Sequence, residues 1–237
     1  MKLLLIKIQK ELFRFYAKIM DNFFKTTKFD EYLKKYSNAY KNDYKLKKDQ
    51  FSFVHIPRTG GTSLHTLLTN NCNNFYNSAH NAVSINCDPK EYKYITVLRD
   101  PIERVYSYYL MQKKYEKLPF HVHATKNLSF FLQKVWNCKN GVCKFLNGYI
   151  DRDVNEDLFS ISLNNLKNFY FVANYENFAS DVEKLSKKLN IKKKIEYINS
   201  FKTEKKTISN EEQKMIEQYN YYDIKIYKFF KDQLYTN

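Results

Sequence analysis

An α/β fold with a parallel central sheet flanked by helices is what this 237-residue chain predicts. Three observations carry that expectation. Short apolar runs alternate with stretches of helical periodicity, the pattern of strand–crossover–strand units. The first two of those runs end in turn residues that lead straight into a helix start. Hydrophobic residues make up 43% of the chain and aromatics 17%, enough for a real core and too many for a disordered, collagen-like or Pro-rich chain.

Taken in order, residues 1–50 read as a Lys- and Tyr-rich arm and residues 51–237 as the folded domain. Leu5, Ile8, Leu12, Phe15 and Ile19 recur at helical spacing and predict an amphipathic helix. That helix docks on its own protein or, as the alternative, makes a peripheral contact with a membrane surface. Lys7, Lys10, Glu11, Arg14 and Lys18 break every apolar run well short of the ~18 residues a span needs. A cytoplasmic or membrane-peripheral protein, with no transmembrane anchor or clear signal peptide, is therefore expected. FSFVHI (51–56) reads as a buried strand ending in Pro57 and a Gly pair, and TSLHTLLTNN (62–71) as a helix with Leu64, Leu67 and Leu68 on one face. YITVL (94–98) is the second strand. Asp100 as N-cap, Pro101 at N1 and Glu103 at N3 then open a helix whose buried stripe is Ile102, Val105, Tyr106 and Tyr109. FYFVANY (169–175) is a third strand, followed by a helix carrying Phe178, Val182, Leu185 and Leu189. Ser209 with Glu212 forms a capping box for a C-terminal helix, and another helix runs from Asp223 to about Leu234.

The formal charge is +15, which suits anionic partners and says nothing of fold. Only five of the 40 basic residues are Arg, and the rest are Lys in a chain also rich in Asn, Ile, Tyr and Phe. That bias accounts for much of the charge without a nucleic-acid partner. Arg58, Arg99 and Arg104 fall close together, and the chemistry is expected there, with Arg104 as a surface ion-pair partner. Cys72, Cys87, Cys138 and Cys143 are too few and too irregular for a disulfide framework or a zinc site; Cys138 and Cys143 could close a small loop in an oxidising compartment.

Two of the four glycines, Gly60 and Gly61, sit side by side after the first strand. A Gly pair lets backbone approach a ligand, and the following helix N-terminus offers N–H groups and partial positive charge to an anion. HIPRTGGTSL therefore reads as a phosphate-type cradle. Its parts are the backbone amides of Thr59, Gly60, Gly61, Thr62 and Ser63, the hydroxyls of Thr59, Thr62 and Ser63, and the cation Arg58. No G-x-x-x-x-G-K-[ST] string exists, so the lysine and magnesium ligand of a nucleotide kinase are missing. A kinase is the alternative reading, and a polyanion or membrane-surface binder the second.

HIPRTGGTSL, followed about 40 residues on by VLRDPIERVYSYYL, resembles the two nucleotide-binding motifs of sulfotransferases that use 3′-phosphoadenosine 5′-phosphosulfate (PAPS). It is most similar to the branch of heparan sulfate 2-O- and 6-O-sulfotransferases and their bacterial and viral relatives. The resemblance spans residues 51–115 and implies a P-loop-like three-layer domain, PAPS as donor, adenosine 3′,5′-bisphosphate as product, and no metal. It implies that the glycine motif holds the 5′-phosphosulfate and that Arg99 and Ser107 hold the 3′-phosphate. Where the family commonly has Lys this chain has Arg58, which balances charge on the bridging and sulfonate oxygens but keeps its proton and reaches differently.

An acceptor hydroxyl needs a general base, and His suits that near neutral pH. His55 in a strand and His65 on a helix flank read as structural, and the H-x-H of His121 and His123 lacks further metal ligands. His80, in the Ser- and Asn-rich SAHNAVSI between the motifs, matches by position the base of the 2-O-like enzymes. The expected acceptor is a glycan hydroxyl. A Lys-lined surface favours an anionic one, though the compositional bias weakens that inference.

Overall fold

The computed structural model describes residues 42–116, 118–193, 195 and 207–235. The amphipathic helix expected near the N-terminus lies outside them. The first strand, β1 (Phe51–Val54), leads to helix α1 (Gly61–Asn71), then β2 (Phe75–Asn81), β3 (Lys93–Leu98) and helix α2 (Pro101–Lys114). Four shorter helices follow: α3 (His121–Lys126), α4 (Leu128–Lys134), α5 (Gly141–Asn147) and α6 (Glu156–Lys167). Strand β4 (Phe171–Asn174) and helices α7 (Phe178–Lys188), α8 (Asn210–Tyr219) and α9 (Tyr221–Phe229) complete the order, with one π-helical turn at Phe230–Leu234.

The four strands form one parallel sheet in the order β2-β1-β3-β4. From β1 the chain goes outward to β2, then returns past β1 to β3. Strand order thus reverses between β1 and β3, and in open parallel sheets ligands bind at such a reversal, beyond the C-terminal strand ends.

Alternation along the strands covers both faces. Phe51 and Phe53 of β1 and Ile95 and Val97 of β3 pack with Leu64, Leu67 and Leu68 of α1 and Val182 and Leu185 of α7. On the other face Val54, Tyr94 and Leu98 meet Phe145 and Leu146 of α5 and Ile226 of α9. This is the expected three-layer α/β arrangement. Tyr44 and Leu46, which precede Phe51, are buried in that second cluster, and the Tyr44 hydroxyl donates to the Ala82 carbonyl at 2.9 Å. The core therefore draws in chain from the segment expected to be an arm.

One element was not anticipated and one expectation is corrected. The stretch that carries His80, given no element from the sequence, belongs to FYNSAHN, which forms β2; it is an edge strand, where polar residues are tolerated, and its pairing slips between Ser52 and Val54. Arg104 was expected at the surface and is fully buried. Its Nη2 donates to the Asn137 carbonyl at 2.8 Å and lies 3.7 Å from Asp223 Oδ2. Asp223 in turn accepts from the N–H groups of Val142 and Cys143 at 2.9 and 2.8 Å, capping α5. Burial raises the Asp223 pKa, against the opposing pull of Arg104 and those amides. Beside this centre Cys138 and Cys143 are buried free thiols. Among the described residues no helix is long and apolar enough to cross a membrane.

Candidate active site

The loop after β1 is shaped by backbone handedness. Arg58 has φ +71° and Gly60 φ +82°, while Thr59 between them stays at negative φ. Such alternation turns successive N–H groups to one side and makes a concave anion nest. Thr59 is buried, and its hydroxyl donates to the Ile56 carbonyl at 2.9 Å, which locks the turn. Thr62 is exposed and Ser63 buried at the start of α1.

Helix α1 opens without a side-chain cap, as α3, α5, α7 and α9 also do. Its N-cap, Gly60, offers no side-chain acceptor, and no acidic residue stands in its first turn. By contrast Asp100 caps α2 by accepting from the Glu103 N–H at 2.9 Å, as the sequence predicted, and Asn127, Asn155 and Ser209 cap α4, α6 and α8. The helix dipole of α1 points its positive end at the glycine loop, a setting that favours an anion.

Each glycine has its own neighbour. A Cβ on Gly61 would land on ring atoms Cδ2 and Nε2 of His55, and one on Gly60 would come 3.1 Å from the Phe178 ring. His55 itself is buried, with Phe53 and His65 rings stacked on either side at 5.2 and 6.2 Å. The second glycine thus exists so that an imidazole can press against the loop from below.

The second motif arrives from β3. Arg99 follows directly on the strand, and its Nη1 donates to the Arg58 carbonyl at 3.3 Å. Its guanidinium carbon sits over the Tyr175 ring, 4.3 Å from the centroid, and Nη2 pairs with Glu103 Oε2 at 3.3 Å. The Arg99 Nε–H is buried with no hydrogen-bond acceptor among the described residues. Arg58 reaches across to α2: Nε and Nη2 both donate to Ser107 Oγ, at 3.2 and 3.0 Å, and Nη1 lies 3.3 Å from Met111 Sδ. Burial first, and the like charge of Arg99 second, lower the Arg58 pKa. Arg58 therefore meets Arg99 and Ser107, 41 and 49 residues further along the chain, where strand order reverses.

Tyr175, Phe178, Met111 and the supporting part of His55 were not anticipated. The signal for the first two was available, because YENF follows the third strand just as the two motifs follow the first and second. Glu176, between them, is held from the C-terminal helix by Lys231 Nζ and Tyr227 Oη, at 2.8 and 2.9 Å. His80 is the penultimate residue of β2, at the same sheet end as the glycine loop; its side chain lies outside the described residues. His121 Nδ1–H donates to the Gln112 carbonyl at 2.9 Å. His123 is buried beside Phe130, its pKa lowered by burial and then by Lys126 and Lys134. Among the described residues no group of three or more His, Cys, Asp or Glu could hold a metal.

A family model described as the sulfotransferase family matches residues 2–230, well beyond the two motifs on both sides. No curated protein matches the chain.

Proposed function

The chain belongs to the sulfotransferase family, whose donor is generally PAPS, and on that premise we propose that it sulfates a carbohydrate hydroxyl from PAPS by in-line displacement. The reading is supported above all by one observation. The loop at 58–63 and the Arg99–Ser107 segment, far apart in sequence, face each other across the strand reversal and are tied by the Arg58–Ser107 and Arg99–Arg58 hydrogen bonds. Two anion sites a short step apart suit a nucleotide with a 5′-phosphosulfate and a 3′-phosphate.

The nest amides of Thr59 to Ser63, the α1 N-terminus and the Thr62 and Ser63 hydroxyls take the 5′ end. Arg99 and Ser107 take the 3′-phosphate, and Arg58 stands between the two ends as a cation within reach of both. In the transfer, an acceptor oxygen forms a bond to sulfur while the bond from sulfur to the bridging phosphate oxygen breaks. That oxygen leaves with the electron pair as part of adenosine 3′,5′-bisphosphate. Fixed N–H groups and cations meet the charge developing there, so catalysis rests on positioning and electrostatics. His80 is proposed to accept the hydroxyl proton; the strand that carries it ends beside β1, whose Val54 pairs with Asn81. The glycan acceptor rests on the motif resemblance to the heparan sulfate enzymes.

Adenosine 3′,5′-bisphosphate without magnesium is expected to raise the melting temperature, and labelled donor to pass its sulfuryl group to a glycan panel. Stabilisation by ATP with magnesium alone would favour a kinase instead. His80→Ala is expected to keep the nucleotide-induced shift and lose transfer; unchanged turnover would remove His80 from the mechanism.

A further inference from the structure

We infer that Tyr44 is a positioning residue for the transfer step: through Ser52 and Asn81 it pins the end of the strand that carries His80. The inference rests on the reading of His80 as the base, and it gives a task in the reaction to a segment that the sequence set apart as an arm.

The need for a pin comes from the sheet. β2 is an edge strand paired with β1, and the ladder between them is irregular. From the Ser52–Tyr76 pair to the Val54–Asn81 pair, β1 advances two residues and β2 five. His80 falls in that extra length, one residue before pairing resumes. A bulge of this kind bends its strand and re-aims side chains, and the ladder does not fix the residues within it.

Buried hydroxyls supply the support instead. The single Tyr44 hydroxyl proton goes to the Ala82 carbonyl at 2.9 Å, so in the 2.9 Å contact between Tyr44 and Ser52 it is Ser52 that donates. Ser52 Oγ in turn accepts from Asn81 Nδ2 at 3.2 Å. A directed chain thus runs from Asn81 through Ser52 and Tyr44 to Ala82, and it closes on the two residues that follow His80. Tyr44, Ser52 and Asn81 are all buried, and in that dry setting each bond is stronger than in water.

Neighbouring bonds extend the pin into a strap. The Asn42 carbonyl accepts from the Ile85 N–H and the Asp43 carbonyl from Asn86 Nδ2, both at 2.8 Å, while the Ser84 hydroxyl donates to the Tyr44 carbonyl. Residues 42–44 therefore lie along residues 82–86. The Asn81 carbonyl accepts from the His55 N–H at 3.1 Å, which ties the same strand end to the chain entering the glycine loop. Burial raises the Tyr44 pKa well above its ordinary value, so the phenol keeps its proton wherever a His base works.

The test is kinetic, on the full chain, with labelled PAPS and desulfated heparin as acceptor. Tyr44→Phe keeps the ring that stacks on Tyr76 at 4.6 Å and removes the hydroxyl, and Ser52→Ala breaks the same chain from β1. Each is expected to lower kcat roughly 10- to 100-fold, the cost of a misplaced reacting group. KM for PAPS and affinity for adenosine 3′,5′-bisphosphate should stay within about two-fold, and the binding stoichiometry counts folded sites so that lost protein is not read as lost turnover. Added to His80→Ala, Tyr44→Phe should cost nothing further, because a positioning residue has no effect once the group it places is gone. Unchanged kcat in both single variants, an equal fall in donor affinity, or a loss on the His80→Ala background as large as on the wild type would overturn the strap and leave the base reading standing. Wild-type turnover in His80→Ala would overturn both.

Discussion

Helix α2 carries two arginine centres one turn apart, and they are built on opposite principles. Arg104 is wholly buried against Asp223, with the Asn137 carbonyl on the arginine and the Val142 and Cys143 amides on the carboxylate. At Ser107, Arg58 and Arg99 converge on a hydroxyl and a carbonyl, and the nearby carboxylate is largely in water. The first centre answers its charge from within the protein, so it is structural. The second gathers two guanidinium groups beside a carboxylate that is largely in water, and this is how a binding site for an anion differs from a core ion pair.

The contrast breaks most sharply at Asp223. Removing one member of a buried pair leaves the other charged and uncompensated, at a cost of about 3–5 kcal/mol. Asp223→Ala should approach that loss in urea unfolding. Asp223→Asn, which keeps an acceptor for one α5 amide, should lose less and remain measurable. A change under about 1 kcal/mol in both would mean the pair does not hold the helical layer to the sheet.

Arg99→Ala should show the reverse profile. Its ion pair with Glu103 is exposed on the carboxylate side, so unfolding should change by less than about 1 kcal/mol. Affinity for adenosine 3′,5′-bisphosphate should fall roughly 10- to 100-fold, and the ligand-induced rise in melting temperature should vanish. If stability drops while affinity holds, the two centres are alike and the distinction between them fails.

What was legible in the sequence follows the same division. The motif loops could be read because local rules determine them: scarce paired glycines, an Asp-Pro-x-Glu helix start, apolar runs of strand length. Arg104 was misplaced because its partner lies 119 positions away at Asp223, and no local pattern announces that a charge on a helix will find a buried carboxylate. Strand β2 was missed because FYNSAHN lacks clean alternation and sits at the sheet edge, where pairing with β1 supplies the order that the side chains do not. Tyr175 was overlooked for a similar reason, since its role depends on the β3–β4 pairing that sets Leu98 opposite Asn174 and so brings the next residues, Arg99 and Tyr175, together.

The glycine loop offers a narrower test of how the binding centre is supported. Gly61→Ala drives a methyl into the His55 ring, and overpacking of that kind costs about 1–3 kcal/mol. Because the clash is with one side chain, adding His55→Ala should recover most of the loss, a coupling that a double-mutant cycle reads directly. Gly60→Ala suffers instead from its left-handed backbone and from Phe178, so His55→Ala should not rescue it. Rescue of both, or of neither, would show that the imidazole does not brace this loop.

The smallest effect belongs to the buried centre and appears only in alkali. Burial pushes the Cys138 thiol from 9.0 up to about 12, against the partial opposing pull of Arg104. An unfolded thiol begins to ionise near 9, whereas the folded one keeps its proton. Between pH 9 and 12 the folded state therefore binds more protons, and stability falls as pH rises. Below pH 9 the contribution is constant. By pH 10 the loss from this group reaches about 1.4 kcal/mol, one pKa unit's worth. Urea unfolding at pH 8, 9 and 10 should show the decline, and Cys138→Ala should flatten part of it after allowance for its own cavity cost. Adenosine 3′,5′-bisphosphate affinity over pH 8–9 should be untouched by that substitution, because the thiol lies with Arg104 and Asp223, away from Arg58 and Arg99. An affinity change in Cys138→Ala would mean that the two arginine centres communicate through α2.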